Sequence, residues 1–566
     1  MIKNRIKKLR DKFDKLNIDG YVVPKNDEFF SEYSKKDRLK FISNFSGSAG
    51  YAIILKNKNL LFVDGRYTIQ AQIESKKNFK IVEYKKILNC SLFKNLTLGL
   101  DPKFFTSHQI KNFFNAHNKI KIIEDNLIDQ ISKKPKNEDK PFFTLEKKIV
   151  GQNFDSKLKK IIKFLKKKKS KYIFISAPEN VAWLLNIRGF DNPNSPIPNC
   201  HILVNDKKKL YFISNRKKSV NLIKKKILNS KQIINPKNFK NLIDKLNDKK
   251  KILIDIKTCS IFYEKILMKK FKIIKCEDPI YALKSIKNKT EINHMIDSHI
   301  ADGVALTKFL YWIKIINRKK ISEYQAQNKL ESFRKKNKNY LYPSFNTISG
   351  AGSNGAIVHY RATRKKSKII DKKDIFLCDS GGQYKYGTTD VTRTICFSRP
   401  KKLIKNIYTK VLKGHIAVAN TNLNLCNTGK RIDERARKFL KNDGLDYQHG
   451  TGHGVGFFLN VHEGPQSISK SNNIKISEGM ILSNEPGYYK KGKFGIRIEN
   501  LVFVKKKKKK IFFENLTLSP IDKDLINFKL LSTNEKNYLF KYHMSIFSKL
   551  SPFLNEGEKK WLTSFF

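Results

Sequence analysis

A chain of 566 residues is too long for one core, and at about 150 residues per domain it divides into roughly three or four. Its 40% hydrophobic content can fill those cores, and with no run of about 18 uncharged apolar residues a membrane span is not expected. The net charge of +66 would suit a nucleic-acid or acidic-membrane binder, but lysine, isoleucine and asparagine are abundant along the whole chain, so the excess reads as solvated lysine and nucleic acid is not the expected partner.

Ile2, Ile6, Leu9, Phe13 and Leu16 predict an amphipathic helix over Met1 to Leu16, basic but without the apolar centre of a secretory leader. The seven cysteines, Cys90, Cys200, Cys259, Cys276, Cys378, Cys396 and Cys426, are scattered and never form a Cys-x-x-Cys pair, which implies reduced thiols and a cytoplasmic address. Tyr51 to Leu55 alternates and Leu60 to Asp64 reads as its hairpin partner, so residues 1–150 are expected to form an α/β domain. A second α/β unit over 155–285 repeats the first. Phe41-Ile-Ser-Asn44-Phe-Ser-Gly47 aligns with Trp183-Leu-Leu-Asn186-Ile-Arg-Gly189, and Ile53-Ile-Leu-Lys-Asn-Lys with Ile202-Leu-Val-Asn-Asp-Lys. The offset grows from 142 to 149, which a seven-residue insertion in the Asn- and Pro-rich stretch Asp191 to Asn199 accounts for.

Asp278-Pro279 and the lysines from Lys284 to Lys289 mark the next boundary. Thr290 is the expected N-cap of a helix running through Trp312, with Glu291 favoured in its first turn. Lys166 to Lys169 and Lys505 to Lys510 are expected at strand ends or linkers. The tail over 510–566, rich in Leu, Phe and Tyr at helical spacing, should pack on the body or on a second subunit.

Between about 286 and 504, the side chains of Asp379, Asp390, His453, Glu485 and Glu499 make an oxygen-rich set that suits hard or borderline divalent cations. If Tyr384 and Lys385 form a two-residue turn, facing residues have numbers summing to 769, and Asp379 opposes Asp390. Opposed Cβ atoms lie about 4.5–5.5 Å apart, which suits carboxylates sharing metals about 3.5–4 Å apart. Glycine at every second position from Gly450 to Gly456 lets backbone and ligand approach closely. No dinucleotide or P-loop glycine pattern is present, and His449, His453 and His462 within fourteen residues favour a site. Glu485 stands before Pro486-Gly487, where a strand should stop. Ile496-Arg497-Ile498-Glu499 alternates, with Arg497 and Glu499 on one face and the isoleucines on the other. A buried charged pair there needs a partner or a metal. Together these features read as a two-metal hydrolase site.

The strings Asn354-Gly-Ala-Ile-Val-His359-Tyr, Asp379-Ser-Gly-Gly-Gln-Tyr-Lys-Tyr-Gly-Thr-Thr-Asp390-Val-Thr-Arg393-Thr, His449-Gly-Thr-Gly-His453-Gly-Val-Gly, Val461-His462-Glu-Gly-Pro, Asn484-Glu485-Pro-Gly-Tyr-Tyr and Phe494-Gly-Ile-Arg-Ile-Glu499-Asn resemble the aminopeptidase P, or Xaa-Pro aminopeptidase, family in its long three-domain form. Asp64-Gly-Arg-Tyr67 and Trp183 to Gly189 extend the likeness more weakly. The resemblance implies an α/β (α+β) chain: two similar N-terminal α/β domains (1–150 and 155–285), a pita-bread catalytic domain (286–504) and a C-terminal extension (510–566). By the same resemblance Asp379 would hold one metal, His453 and Glu485 the other, and Asp390 and Glu499 would bridge both. Two divalent ions would balance the four carboxylates; manganese is the expected metal, with zinc or cobalt as alternatives. His359, His449, His462 and Arg497 would line the substrate site, Arg497 also supporting the bridging carboxylates. The implied reaction cuts the bond between an N-terminal residue and a following proline with a hydroxide bridging two cations. Glu485 would shuttle the proton, while His462 and His359 would stabilise the oxyanion and orient the proline carbonyl. A homodimer through the aromatic C-terminal segment is implied as well. A prolidase that cuts only dipeptides, and a non-catalytic module binding protein or nucleic acid, are the alternatives.

Overall fold

The helix Arg38–Ser43 stops at Asn44 and the helix Pro178–Leu185 stops at Asn186, each asparagine in the left-handed region (φ 67° and 55°) that its short polar side chain tolerates. These are the positions aligned by the internal repeat, and both lie in the first of two compact units, Met1–Tyr281 and Ala282–Phe566. The computed structural model describes residues 1–87, 91–114, 117–132, 140–246, 250–317 and 319–566; Cys90 lies outside the described residues. In the first unit each repeat builds a six-stranded sheet, and with strands counted along the chain both sheets run in the order 4-3-2-1-5-6. In each, the first strand pairs antiparallel with the second and parallel with the fifth. The expected hairpin is Tyr51–Leu55 against Asn59–Val63, with Ile53 opposite Leu60. Its opening helix is shorter than the apolar pattern, Ile2–Arg10, and Phe13 fills the same core from the turns that follow. Lys166 and Lys167 occur at a helix C-terminus, that of Phe154–Lys167, and not at a strand end; cations there complement the unpaired carbonyls.

Two helix pairs organise the second unit: Lys289–Tyr311 with Glu323–Arg334, and Lys402–Ala419 with Gly429–Lys441. Leu306, Phe309, Leu310, Ala326 and Leu330 of the first pair pack on Ala351, Phe376, Cys378, Val391 and Ile395. Those residues come from the antiparallel strands Ile348–Ala351, Ile375–Ser380 and Val391–Cys396. Val418, Ile432 and Ala436 of the second pair pack on Ile468, Leu482, Val502 and Val504 of a second antiparallel sheet, each large apolar side chain adding about 1.5–3 kcal/mol. Side chains alternate across a strand, so turning Phe376 and Cys378 toward helices turns Asp379 to the opposite face. Leu482 and Ser483 divide in the same way on Ile481–Asn484. The chain pattern that fills the two cores therefore also aims the polar groups.

Asn288, and not Thr290, caps the long helix, accepting from the Thr290 and Glu291 amides while Glu291 bonds back to the Asn288 amide. The helix ends at Tyr311 and passes into a π-helical turn, Trp312–Ile316. Lys284 and Lys287, expected only to mark a boundary, are buried and donate to the two oxygens of buried Glu463 at 2.9 and 2.5 Å. The tail packs on the body: Leu539, Tyr542, Ile546, Leu550 and Leu562 share a core with Ile407, Val411, Ile496 and Ile498. Among the described residues no helix is long and apolar enough to cross a membrane.

Candidate metal centre

Asp379 lies opposite Thr392, Gln383 opposite Thr388, and Tyr384 opposite Gly387. Facing numbers therefore sum to 771 rather than the predicted 769, and Asp379 and Asp390 are not a directly opposed pair. The turn falls one residue later, on Lys385 and Tyr386, because the Tyr384 side chain is fully buried and donates to Asp302 at 2.8 Å, which keeps it within the sheet. Moving the turn by one residue moves the register by two, and a shift of two preserves the face. Both aspartates still look to the same side, as diagonal neighbours.

On that side Asp390, His453 and Glu499 each bring one donor atom within 4.8 Å of the others. His453 Nε2 is 3.5 Å from both Asp390 Oδ2 and Glu485 Oε1, and Nδ1 is directed at the Gly454 carbonyl at 2.9 Å, which fixes the ring. Ser483 links two of these groups: its hydroxyl accepts from the His453 amide at 2.9 Å and donates to Glu485 Oε1 at 3.0 Å. Gly452 allows that approach, since a Cβ there would sit 1.9 Å from the Ser483 carbonyl.

Thr392 joins the other carboxylates. Its hydroxyl donates to Glu499 Oε2 at 2.7 Å and accepts from Arg497 Nε at 3.0 Å. Arg497 Nη2 donates to Asp379 Oδ2 and Nη1 to the Tyr489 hydroxyl, both at 2.6 Å. Tyr489 in turn meets His449 Nε2 at 2.8 Å, and His449 Nδ1 lies 2.7 Å from the Gly450 carbonyl. Arg497 is thus engaged inward on its carboxylates, and His449 is held through Tyr489. The His462 ring stands edge-on to His453 with centroids 4.3 Å apart. His359 lies half-buried in the turn after the 3-10 helix Gly352–Ala356, which packs on the strands of Asp379 and Arg497. A Cβ on Gly495 would sit 1.8 Å from the Gly355 carbonyl, so the contact is backbone on backbone.

Burial pushes Asp379 up to about 6, with Arg497 opposing the rise and Asp390 adding to it. Glu499 is raised well above the usual carboxylate range by burial and by repulsion from Asp390, Glu485 and Asp379. Burial also raises Asp390. For Glu485 burial acts upward too, but the positive His453 and its neighbours outweigh it and hold the group below its ordinary value. Burial likewise disfavours a charged His453, yet Asp390 and Glu485 lift it to about 9. Asp379 Oδ1 is buried with no hydrogen-bond partner. A bare oxygen among carboxylates that repel one another is short of positive charge, and four carboxylates with one imidazole are ligands for divalent cations. The residues fit such ions.

Thr392, Ser483 and Tyr489 were given no role by the sequence. Thr392 shares parity with Asp390, and Tyr489 stands inside the Asn484-Glu485-Pro-Gly-Tyr-Tyr string, but their partners are distant in sequence.

The family model "Metallopeptidase family M24" matches residues 293–506, and "C-terminal region of peptidase_M24" matches 510–564. Two models of "Creatinase/Prolidase N-terminal domain" match residues 5–124 and 133–291. A Laccaria bicolor protein named "Probable Xaa-Pro aminopeptidase P" is 37% identical over 99% of this chain and 92% of its own length. The X-prolyl aminopeptidase of Caenorhabditis elegans, described as a cytosolic enzyme with a di-nuclear active site, matches with a TM-score of 0.92 and 28% identity over 100% of this chain and 99% of that one. The prolidase of Pyrococcus horikoshii OT3 reaches a TM-score of 0.52 at 26% identity, over 65% of this chain and 99% of its own. With its carboxylate and histidine cluster set in this frame, the chain belongs to the aminopeptidase P family of M24 metallopeptidases, carrying creatinase/prolidase N-terminal domains ahead of the peptidase domain.

Proposed function

We propose that the protein is a metallo-aminopeptidase that hydrolyses the peptide bond between an N-terminal residue and a following proline. The observation that carries this reading is the cluster of Asp390, His453 and Glu499, with Glu485 3.5 Å from His453 and a donor-less Asp379 oxygen, in a chain alike over its full length to Xaa-Pro aminopeptidases. Asp379 would hold one cation, His453 and Glu485 a second, and Asp390 and Glu499 both. Divalent ions supply Lewis acidity there, lowering the pKa of a water and polarising a carbonyl. Manganese is the preferred ion for so oxygen-rich a set, zinc and cobalt being alternatives.

Glu485, fixed by Ser483, takes the proton of the attacking water and passes it to the prolyl nitrogen. His462 and His359 hold the developing oxyanion and the proline carbonyl. Arg497 supports Asp379 directly and Glu499 through Thr392, and His449 borders the substrate from its Tyr489 anchor. The scissile tertiary amide has no N–H, so a proline-shaped apolar pocket supplies selectivity. Residues 1–150 and 155–285 act as the N-terminal domains, 286–504 as the catalytic domain and 510–566 as an extension that also serves a homodimer, in the cytoplasm. Metal-stripped protein assayed on Xaa-Pro-Yaa and Xaa-Pro peptides, with manganese, zinc and cobalt returned separately, tests the reading. Metal-restored cleavage of Xaa-Pro-Yaa is expected; cleavage of dipeptides alone makes the enzyme a prolidase, and no cleavage with any metal leaves a binding module.

A further inference from the structure

Glu323 begins the helix Glu323–Arg334 and is fully buried, a position that a carboxylate tolerates only with donors or a cation at hand. Its Oε1 accepts from the Ala351 amide at 2.8 Å and from Asn354 Nδ2 at 3.0 Å. Oε2 accepts from the Tyr360 hydroxyl at 2.8 Å, the Lys368 amide at 2.8 Å and Asn354 Nδ2 at 3.0 Å. Asn354 Nδ2 also lies 3.0 Å from the Tyr360 hydroxyl, closing the ring of contacts. One side chain therefore ties together the end of the strand Ile348–Ala351, the 3-10 helix Gly352–Ala356, the turn that carries His359, and the chain at Lys368. The strand at this knot pairs with that of Asp379, Ile348 lying opposite Asp379 itself.

We propose that Glu323 is a positioning residue for the reaction: through Tyr360, Asn354 and Ala351 it fixes the turn that aims His359 at the substrate. The inference rests on His359 being a substrate contact, as proposed above. From Ile357 to Asp374 the chain forms neither helix nor strand: the Tyr360 amide closes the local turn on the Ile357 carbonyl at 2.9 Å, and Glu323, through the Tyr360 hydroxyl, ties that turn to the body. The chemistry also demands a carboxylate. Both oxygens face donors, so an amide at this position would set its NH2 against at least one N–H or O–H.

Glu323→Gln, His359→Ala and the double variant close a cycle that tests this, with kcat/KM on an Xaa-Pro-Yaa peptide, bound metal and melting temperature measured for each. Glu323→Gln should keep its metal yet lose about 10- to 100-fold in kcat/KM, the scale expected when a catalytic contact is misplaced by about an ångström. In the His359→Ala background the same change should cost less than about twofold, because the group it positions is gone. A purely structural role acts equally in both backgrounds, and equal losses overturn the proposal, as does an undiminished Glu323→Gln enzyme. Full activity of His359→Ala removes the reading of His359 and this proposal with it, while turnover by the unaltered enzyme leaves the peptidase assignment standing. Should Glu323→Gln fail to fold, Tyr360→Phe replaces it in the cycle, deleting one donor, and the same non-additivity with His359→Ala is required.

Discussion

Two kinds of buried carboxylate stand in the second unit, and they meet the cost of burial in opposite ways. Glu323 is saturated by neutral donors from Ala351, Asn354, Tyr360 and Lys368. Asp379, Asp390 and Glu499 instead have their proton affinities driven up by burial and by repulsion from neighbouring carboxylates, and one Asp379 oxygen has no donor at all. Burial alone therefore does not mark a ligand. Glu323 is satisfied by the protein, whereas Asp379, Asp390 and Glu499 are left short of positive charge that a cation would make good.

Removing one group of each kind separates them. Glu499→Ala should abolish divalent-ion binding and lower turnover of Xaa-Pro-Yaa peptides by more than about a thousandfold, read by metal analysis and kinetics on the same sample. Retained turnover would break the assignment. Glu323→Ala should instead unfold at lower denaturant, losing about 3 kcal/mol as its donors are orphaned. In metal-free protein Glu499→Ala should cost clearly less stability than Glu323→Ala, since relieved repulsion offsets the lost Thr392 bond; an equal loss in both variants would erase the distinction between the two carboxylates.

pH sharpens the same contrast. Asp379 is raised to about 6 in the folded metal-free protein, so the native state keeps a proton that the unfolded chain has released from about pH 4 upward. Stability of the metal-free form should accordingly fall as pH rises from about 4 to about 6, and added divalent ion should remove that decline. Melting curves in chelator and in manganese at three pH values across this window read it directly. The smallest expected effect belongs to Thr392→Val, which separates Arg497 from Glu499 at a cost of about 1 kcal/mol, with ligands and metal content unchanged.

The clustering of Asp390, His453 and Glu499 and the repeat were legible in the sequence because both are written locally: glycine-flanked histidines, alternating strands, and asparagines that end two helices in the left-handed conformation. The shared face of Asp379 and Asp390 was legible too, because a strand's period of two survives a shift of two. The register itself was not, since Tyr384 is kept in the sheet by Asp302, a partner 82 positions away. Asn288 and Thr290 are both good capping residues, and composition does not choose between them. Glu323 reads as an ordinary first-turn acid of a helix; only the folded chain brings it to the turn of His359.

The cluster of Lys284, Lys287 and Glu463 carries an evolutionary consequence. Loss of one lysine leaves a balanced pair, but taking away Glu463, or its last lysine, strands a buried charge at about 3–5 kcal/mol, whereas exchanging the whole set for apolar residues of like volume is neutral or favourable by about 1–4 kcal/mol. The better-packed alternative is thus reached only through intermediates close to the stability threshold. Glu463 directly follows His462, so such an intermediate would disturb the loop that carries this histidine as well. Glu463 and its last lysine partner can therefore be exchanged only as a pair, which makes the set a lock rather than an optimum.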